Sequence, residues 1–182
     1  MVRRLFTVLA ALTLVMAVAA CGFEPMYGAR TTSGSTVADL SAVEVAPIVD
    51  AEGAAYRLGH LMSNALGERF YAFGIAQPRY RLEVTLNREV EGFAFRPDEA
   101  VTRYGMRLTA AYRLRDLADD RIVLEDTART YNSYDVVQSD FATLMAERNM
   151  EERLSQDLSE RITSRLGKYF RDRPADTAKV SE

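Results

Sequence analysis

Cysteine, histidine and lysine are nearly missing from this chain. Its 182 residues hold one cysteine, Cys21, and one histidine, His60, and the lysines are Lys168 and Lys179. A single cysteine excludes an intramolecular disulfide. A single histidine excludes a His-rich metal site. His60 lies in Leu58-Gly59-His60-Leu61-Met62, inside a helical pattern, where a packed or half-exposed histidine is the plain reading and a general base the sharper one. No glycine-rich phosphate loop and no nucleophile elbow occurs. An enzyme built from what is left would have to use carboxylates, and Asp98, Glu99 and Asp116, near turns, are the acids it has for that work. The expectation is binding and no catalysis, with no cofactor and no metal.

A long apolar run is also missing. Leu5 to Ala20 is shorter than the ~20 residues a membrane span needs. Arg3 and Arg4 precede it and Val18-Ala19-Ala20 close it, which is the pattern of a cleaved secretory signal. Cys21 follows at once. An unpaired thiol is a liability in an oxidising compartment, and a cysteine directly after such a junction reads as a lipobox, whose thiol takes a diacylglycerol. Met1–Ala20 is therefore expected to be a signal peptide and Cys21 the lipidated first residue of a bacterial lipoprotein. Gly22, rather than Asp, after the cysteine favours sorting to the outer membrane.

Removing that signal takes two of the 23 basic residues and none of the 26 acidic ones, so the remainder is net acidic. An acidic chain argues against a nucleic-acid partner. The basic residues are nearly all arginine, whose fork matches phosphate and carboxylate bidentately. A bias towards Arg codons accounts for the excess as well as function does. The 162 residues left of 182 suffice for one domain with a real core.

Hydropathy then orders the chain. Arg30 to Ser41, rich in Thr, Ser and Gly, reads as a tether. Val43, Val45 and Ile48 mark a short strand ended by Pro47. Ala54 to Phe73 follows a helical period through Leu58, Leu61, Met62, Ala65, Leu66 and Phe70. Tyr80 to Val90 and Arg103 to Asp116 alternate apolar and polar, with a turn at Arg96–Ala100 between them, and Arg121 to Tyr131 is a further strand after a turn at Leu117–Asp120. From Ser139 or Asp140, either a competent cap, a second helix runs to Phe170 on a stripe of Leu144, Met150, Leu154, Leu158, Ile162 and Leu166. Arg171–Glu182 reads as a disordered tail. The pattern predicts an α+β fold: a two-layer sandwich with two helices on one face of a four-stranded, mostly antiparallel sheet.

Three features exceed a bland fold. If the central hairpin turns about Asp98, Glu83 faces Arg113, Glu89 faces Arg107, and Arg81 faces Arg115, a like-charge pair that an intervening anion would relieve. Solubility alone explains such pairs too. Phe93 and Phe95 fall out of phase with Val90, so either a bulge near Gly92 returns them to the core, or Phe93, Phe95 and Pro97 form an exposed tip for a partner or acyl chains. Arg88 falls in the inward phase and either reaches past the helices to solvent or meets an anion. Arg88, Arg96, Arg103 and Arg107 together are candidates for a phosphate-binding cluster.

The opening Cys21-Gly22-Phe23-Glu24-Pro25-Met26-Tyr27-Gly28 resembles the Cys-Gly-Phe-x-Pro-Leu-Tyr-Gly start of the LPS-assembly lipoprotein family, LptE, with Met26 in place of the commoner Leu. The element order agrees over the mature chain, as does Tyr131-Asn132-Ser133-Tyr134 leading through Phe141-Ala142 into the last helix. The resemblance implies a lipid-anchored protein on the periplasmic side of the outer membrane. Such a protein plugs the LptD-type β-barrel, helps it assemble, and binds lipopolysaccharide during insertion into the outer leaflet. The domains expected are a signal (1–20), a lipidated tether (21–41), an LptE-like domain (42–170) and a tail (171–182). Cys21 carries over as the anchor, whereas the lipopolysaccharide-contacting arginines rest on this sequence alone. The alternative is the lipoprotein component of a phospholipid-transport envelope system of the ABC/MCE type.

Overall fold

A computed structural model describes residues 36–50, 57–72, 74–95, 101–137 and 139–173. The signal, Cys21, Arg96, Pro97, Asp98 and Glu99, and the tail beyond Arg173 lie outside the described residues. In chain order the elements are helix α1 (Thr36–Ser41), strands β1 (Val43–Val45) and β2 (Val49–Asp50), helix α2 (Arg57–Phe70), strands β3 (Tyr80–Phe95), β4 (Val101–Asp116) and β5 (Arg121–Asp135), and helix α3 (Asp140–Asp172).

The alternation of β3 and β4 dictates a face. Tyr80, Leu82, Val84 and Leu86 on β3 and Met106, Leu108, Ala110, Tyr112 and Leu114 on β4 are all buried, while the residues between them are mostly exposed. Both helices lie on that one face and supply Leu58, Met62, Leu66 and Phe70 from α2, and Leu154, Leu158, Ile162, Leu166 and Phe170 from α3. The fold is the expected α+β sandwich. Three hydroxyls of α3 are buried between layers. Each is satisfied by its own helix, Ser155 donating to the Glu151 carbonyl at 2.8 Å, Ser159 to Gln156 at 2.8 Å and Thr163 to Ser159 at 2.7 Å. Ser139 caps α3, its Oγ accepting from the Ala142 N–H at 3.3 Å.

The sheet has five strands where four were expected, and proline is the reason. β1 pairs parallel with β3 from Val43 opposite Tyr80, and β2 pairs parallel with the same strand from Val49 opposite Thr85. One lane of the sheet thus carries both, broken around Pro47, which has no N–H to give the ladder. The strand expected to end at Pro47 resumes beyond it. Ile48, in the break, is buried beneath α2, so closely that a Cβ on Gly59 would stand 2.5 Å from the Ile48 carbonyl oxygen. Only glycine permits that approach.

Two boundaries move. Thr36–Ser41, expected in the tether, is helical and buries Asp39 and Leu40. Its Val37 and Leu40 supply the apolar content that a Ser/Thr-rich composition hides. The buried stripe of α3 begins at Met150, so Leu144, expected on it, is exposed.

Candidate functional site

The two ends of the sandwich differ. At the basal end Tyr80 stacks on Phe170 with centroids 5.1 Å apart, and the Tyr80 hydroxyl accepts from Arg173. Here α1 joins the body: the Ala76 N–H donates to the Ser41 carbonyl and the Arg79 N–H to that of Ala42. α2 reaches from this end only to about the level of Leu86, since Asp50 pairs with Leu86 and Gly59 packs on Ile48. β3 runs on from Arg88 to Phe95, about 25 Å further at strand rise. Only the start of α3 accompanies it there.

The register on this hairpin is the expected one. Glu83 lies opposite Arg113, Glu89 opposite Arg107 and Arg81 opposite Arg115. Each outward arginine of β3 and β4 is neutralised within the chain. Arg107 donates to Glu89 at 2.9 Å, Arg113 to Glu125 on β5 at 2.9 Å, Arg103 to Asp135 at 2.5 Å, and Arg115 to Glu83 at 3.2 Å. Arg81 bonds Glu44 on β1 at 3.3 Å. The like-charge pair Arg81/Arg115 is thus relieved by carboxylates and needs no intervening anion. The Arg103 guanidinium holds the Asp135 carboxyl below its ordinary range.

Arg88 stands apart from the other arginines. It occupies an inward position and reaches α3, donating to Glu147 at 2.9 Å and to Glu151 at 3.2 Å. Glu151 also takes Arg57 from the start of α2. Of the four candidate arginines, the three among the described residues are therefore divided by the sheet. Arg88 is on the helix-covered face and Arg103 and Arg107 are on the other, because an even and an odd position of paired strands point to opposite sides.

The phase break at Phe93 is a bulge. Gly92 pairs with Tyr104 and Ala94 with Arg103, which leaves Phe93 as the extra residue, and Phe95 pairs with Val101. The bulge does not return Phe93 to the core; Phe93 is 48 % exposed. Near it Val90 is exposed, as are Val137, Phe141 (72 %), Leu144 and Met145 around the start of α3. Among the described residues the large exposed apolar side chains of the basal end are Ile75 and Ile122. The patch on α3 was missed from the sequence. The signal was there: Phe141 and Met145 are off the inward stripe.

Between these sides Tyr104 and Tyr134 stack with centroids 5.7 Å apart. Burial, then the negative charge of Glu147, pushes the Tyr134 phenol up. On the opposite face the exposed Tyr131 ring lies over Gly105, where a Cβ would meet its hydroxyl at 2.4 Å. The free edge of β5 is blunted: the Thr127 and Ser133 N–H groups donate to the side chains of Asp126 and Asn132 at 2.8 Å each.

No catalytic grouping emerges among the described residues. Among the described residues no cluster of three His, Cys, Asp or Glu could hold a metal. His60 is exposed on α2. Asp116, a candidate acid, accepts the Ala118 N–H at 2.9 Å and closes a turn. No helix among the described residues is long and apolar enough to cross a membrane.

Comparison with known proteins agrees with this geometry. The family model LptE, described as lipopolysaccharide-assembly, matches residues 40–166, from the end of α1 to the last turns of α3. No curated protein matches the chain by sequence. Among solved structures the fold is similar to a lipoprotein from Caulobacter crescentus, at TM-score 0.60 and 18 % identity, over 76 % of this chain and 97 % of that one. It is also similar to an uncharacterized lipoprotein B from Nitrosomonas europaea (TM-score 0.52, 12 % identity, 80 % and 94 % covered). A third likeness is the rare lipoprotein B from Shewanella oneidensis (0.50, 10 %, 69 % and 95 %). At these identities the likeness is one of fold.

Proposed function

The chain belongs to the LptE family of lipopolysaccharide-assembly proteins, and from that premise we propose that it is an outer-membrane lipoprotein that plugs an LptD-type β-barrel and binds lipopolysaccharide on its way to the outer leaflet. Lipopolysaccharide assembly is the work of that family, a non-enzymatic one of outer-membrane-associated lipoproteins. The observation that carries the proposal is the family match running through every strand, α2 and most of α3.

The geometry supports it in two ways. The outer face of β3 and β4 is wet but its arginines are internally neutralised, as suits a surface held against polar walls of a barrel lumen. The distal end is rich in exposed apolar side chains and stands away from the end where the N-terminal segment enters. A 16-residue strand spans roughly 50 Å. With Cys21 acylated in the inner leaflet, the tether would hold the basal end and the distal end would reach the lipid being moved. Phe93, with Phe95 and Pro97, would contact the barrel or acyl chains. Arg96, Arg103 and Arg107 would supply phosphate contacts at the hairpin end, with Arg103 and Arg107 exchanging Asp135 and Glu89 for phosphate. Charge reversal of Arg96 and Arg103 is expected to weaken lipopolysaccharide binding while the protein stays folded.

The experiment is a mild-detergent pull-down of the tagged full-length protein from envelopes with the bands identified by mass spectrometry. A large outer-membrane β-barrel near one-to-one is the expected result. Recovery of an inner-membrane lipid transporter would support the phospholipid-transport alternative, and recovery of no partner would remove the plug.

A further inference from the structure

The first ten residues of α3 are fastened differently from the rest. Burial begins at Met150 and recurs every turn to Phe170, while Asp140–Asn149 buries no residue. Its ties to the body are polar. Arg88 bonds Glu147, and the Thr143 hydroxyl bonds the Val137 carbonyl at 3.3 Å. Half-exposed ion pairs contribute little against water, and segments with few buried contacts open first.

What lies by this segment is mostly apolar. Val90, Met106, Tyr104 and Tyr134 hold distal inward positions of three paired strands, and Met106 is fully buried. Asn132, opposite Met106 at the sheet edge, is the polar residue among them, and its side-chain oxygen accepts from the Ser133 N–H. Arg88 is the one charged residue among the inward positions of β3 from Tyr80 to Val90 and of β4 from Tyr104 to Leu114. If Arg88 lets go, Glu151 keeps Arg57. Glu147, whose ion pair is with Arg88, leaves with the helix for water. A cation on an apolar floor would then be open to an oxyanion of the kind that Glu147 imitates.

We propose that Asp140–Asn149 is a lid, latched by Arg88 to Glu147, over a site for one acyl chain of lipopolysaccharide and a neighbouring phosphate of its sugar headgroup. The chain lies along Val90, Tyr104, Met106 and Tyr134, and the headgroup phosphate replaces Glu147 on Arg88. This rests on lipopolysaccharide being the ligand and adds where one acyl chain and one phosphate sit and what holds the site shut.

The probe is decyl phosphate below its micellar concentration, with decyl maltoside and inorganic phosphate as controls. Binding to the full mature chain is read by calorimetry, and amide exchange by mass spectrometry. Residues 144–149, past the first-turn amides, are expected to exchange faster than 154–170. Glu147→Gln should speed that exchange and tighten decyl phosphate binding about threefold, by weakening a pair of modest strength. Arg88→Gln should weaken it about tenfold, to no better than decyl maltoside. The lid is overturned if 144–149 exchange as slowly as 154–170 or if Glu147→Gln leaves binding unchanged or weaker. It is overturned equally if inorganic phosphate binds as well as decyl phosphate. A Glu147→Gln protein that still recovers the barrel but fails these tests loses the lid and keeps the plug; loss of the barrel from the parent protein removes the plug instead.

Discussion

The basal and distal halves are built on the same three long strands and the same alternation, yet one is closed and the other open. In the basal half α2 and α3 both cover the sheet, and Tyr80, Phe170 and Arg173 close the end. In the distal half the strands outrun α2, α3 arrives with no buried residue before Met150, and phenylalanines stand in solvent. The alternation decides which way a side chain points. Helix length decides whether that direction leads to a core or to a surface. Stability is therefore concentrated at one end, and the apolar surface for a partner or ligand at the other.

The comparison is broken most directly by large-to-small substitutions. Leu158→Ala removes a fully buried side chain between the layers and is expected to cost about 2–5 kcal/mol in urea unfolding. Leu144→Ala, on the same helix but 43 % exposed, should stay within about 0.5 kcal/mol. Equal costs would mean that the start of α3 is packed after all. Adding a methyl group gives the next contrast. Gly59→Ala drives a Cβ into the Ile48 backbone and should cost about 1–3 kcal/mol. Gly105→Ala meets first the exposed Tyr131 ring, which can swing aside, so its cost should be under about 1 kcal/mol.

Phe93→Ser combined with Phe141→Ser tests the distal surface as a binding surface. Lipopolysaccharide affinity should fall about tenfold while unfolding free energy stays within about 0.5 kcal/mol. A drop in stability with no change in affinity would turn the patch into part of the core. The smallest effect concerns pH. Tyr112 is buried on the helix-covered face beside Asp126, and burial, then that charge, pushes its phenol from about 10 up to about 12. Its contribution is fully present below pH 10 and is lost as pH rises towards 12, because the unfolded chain ionises first. Tyr112→Phe should flatten that part of the stability profile.

Much of the fold was legible because a period of two fixes both face and register once the turn is centred. Glu83–Arg113, Glu89–Arg107 and Arg81–Arg115 all follow from a turn about Asp98. What was not legible depends on distant chain. Glu147 and Glu151, which hold Arg88, are 59 and 63 residues away from it, and no local pattern joins them. The strand resuming as Val49–Asp50 is too short to show an alternation. The arginine cluster was a different kind of miss. Residue parity alone separates Arg88 from Arg103 and Arg107, because proximity along a hairpin does not put an even and an odd position on one face.

A photo-crosslinking residue placed in cells at Phe93 or Phe141, against the same residue at Ile75 or Ile122, tests most directly whether the distal end is the working end. Adducts would be read by immunoblotting for lipopolysaccharide. Adducts from the two distal positions and none from the two basal ones are expected. Equal adducts from both ends, or adducts from the basal pair alone, would contradict the division of the molecule into a closed supporting end and an open binding end.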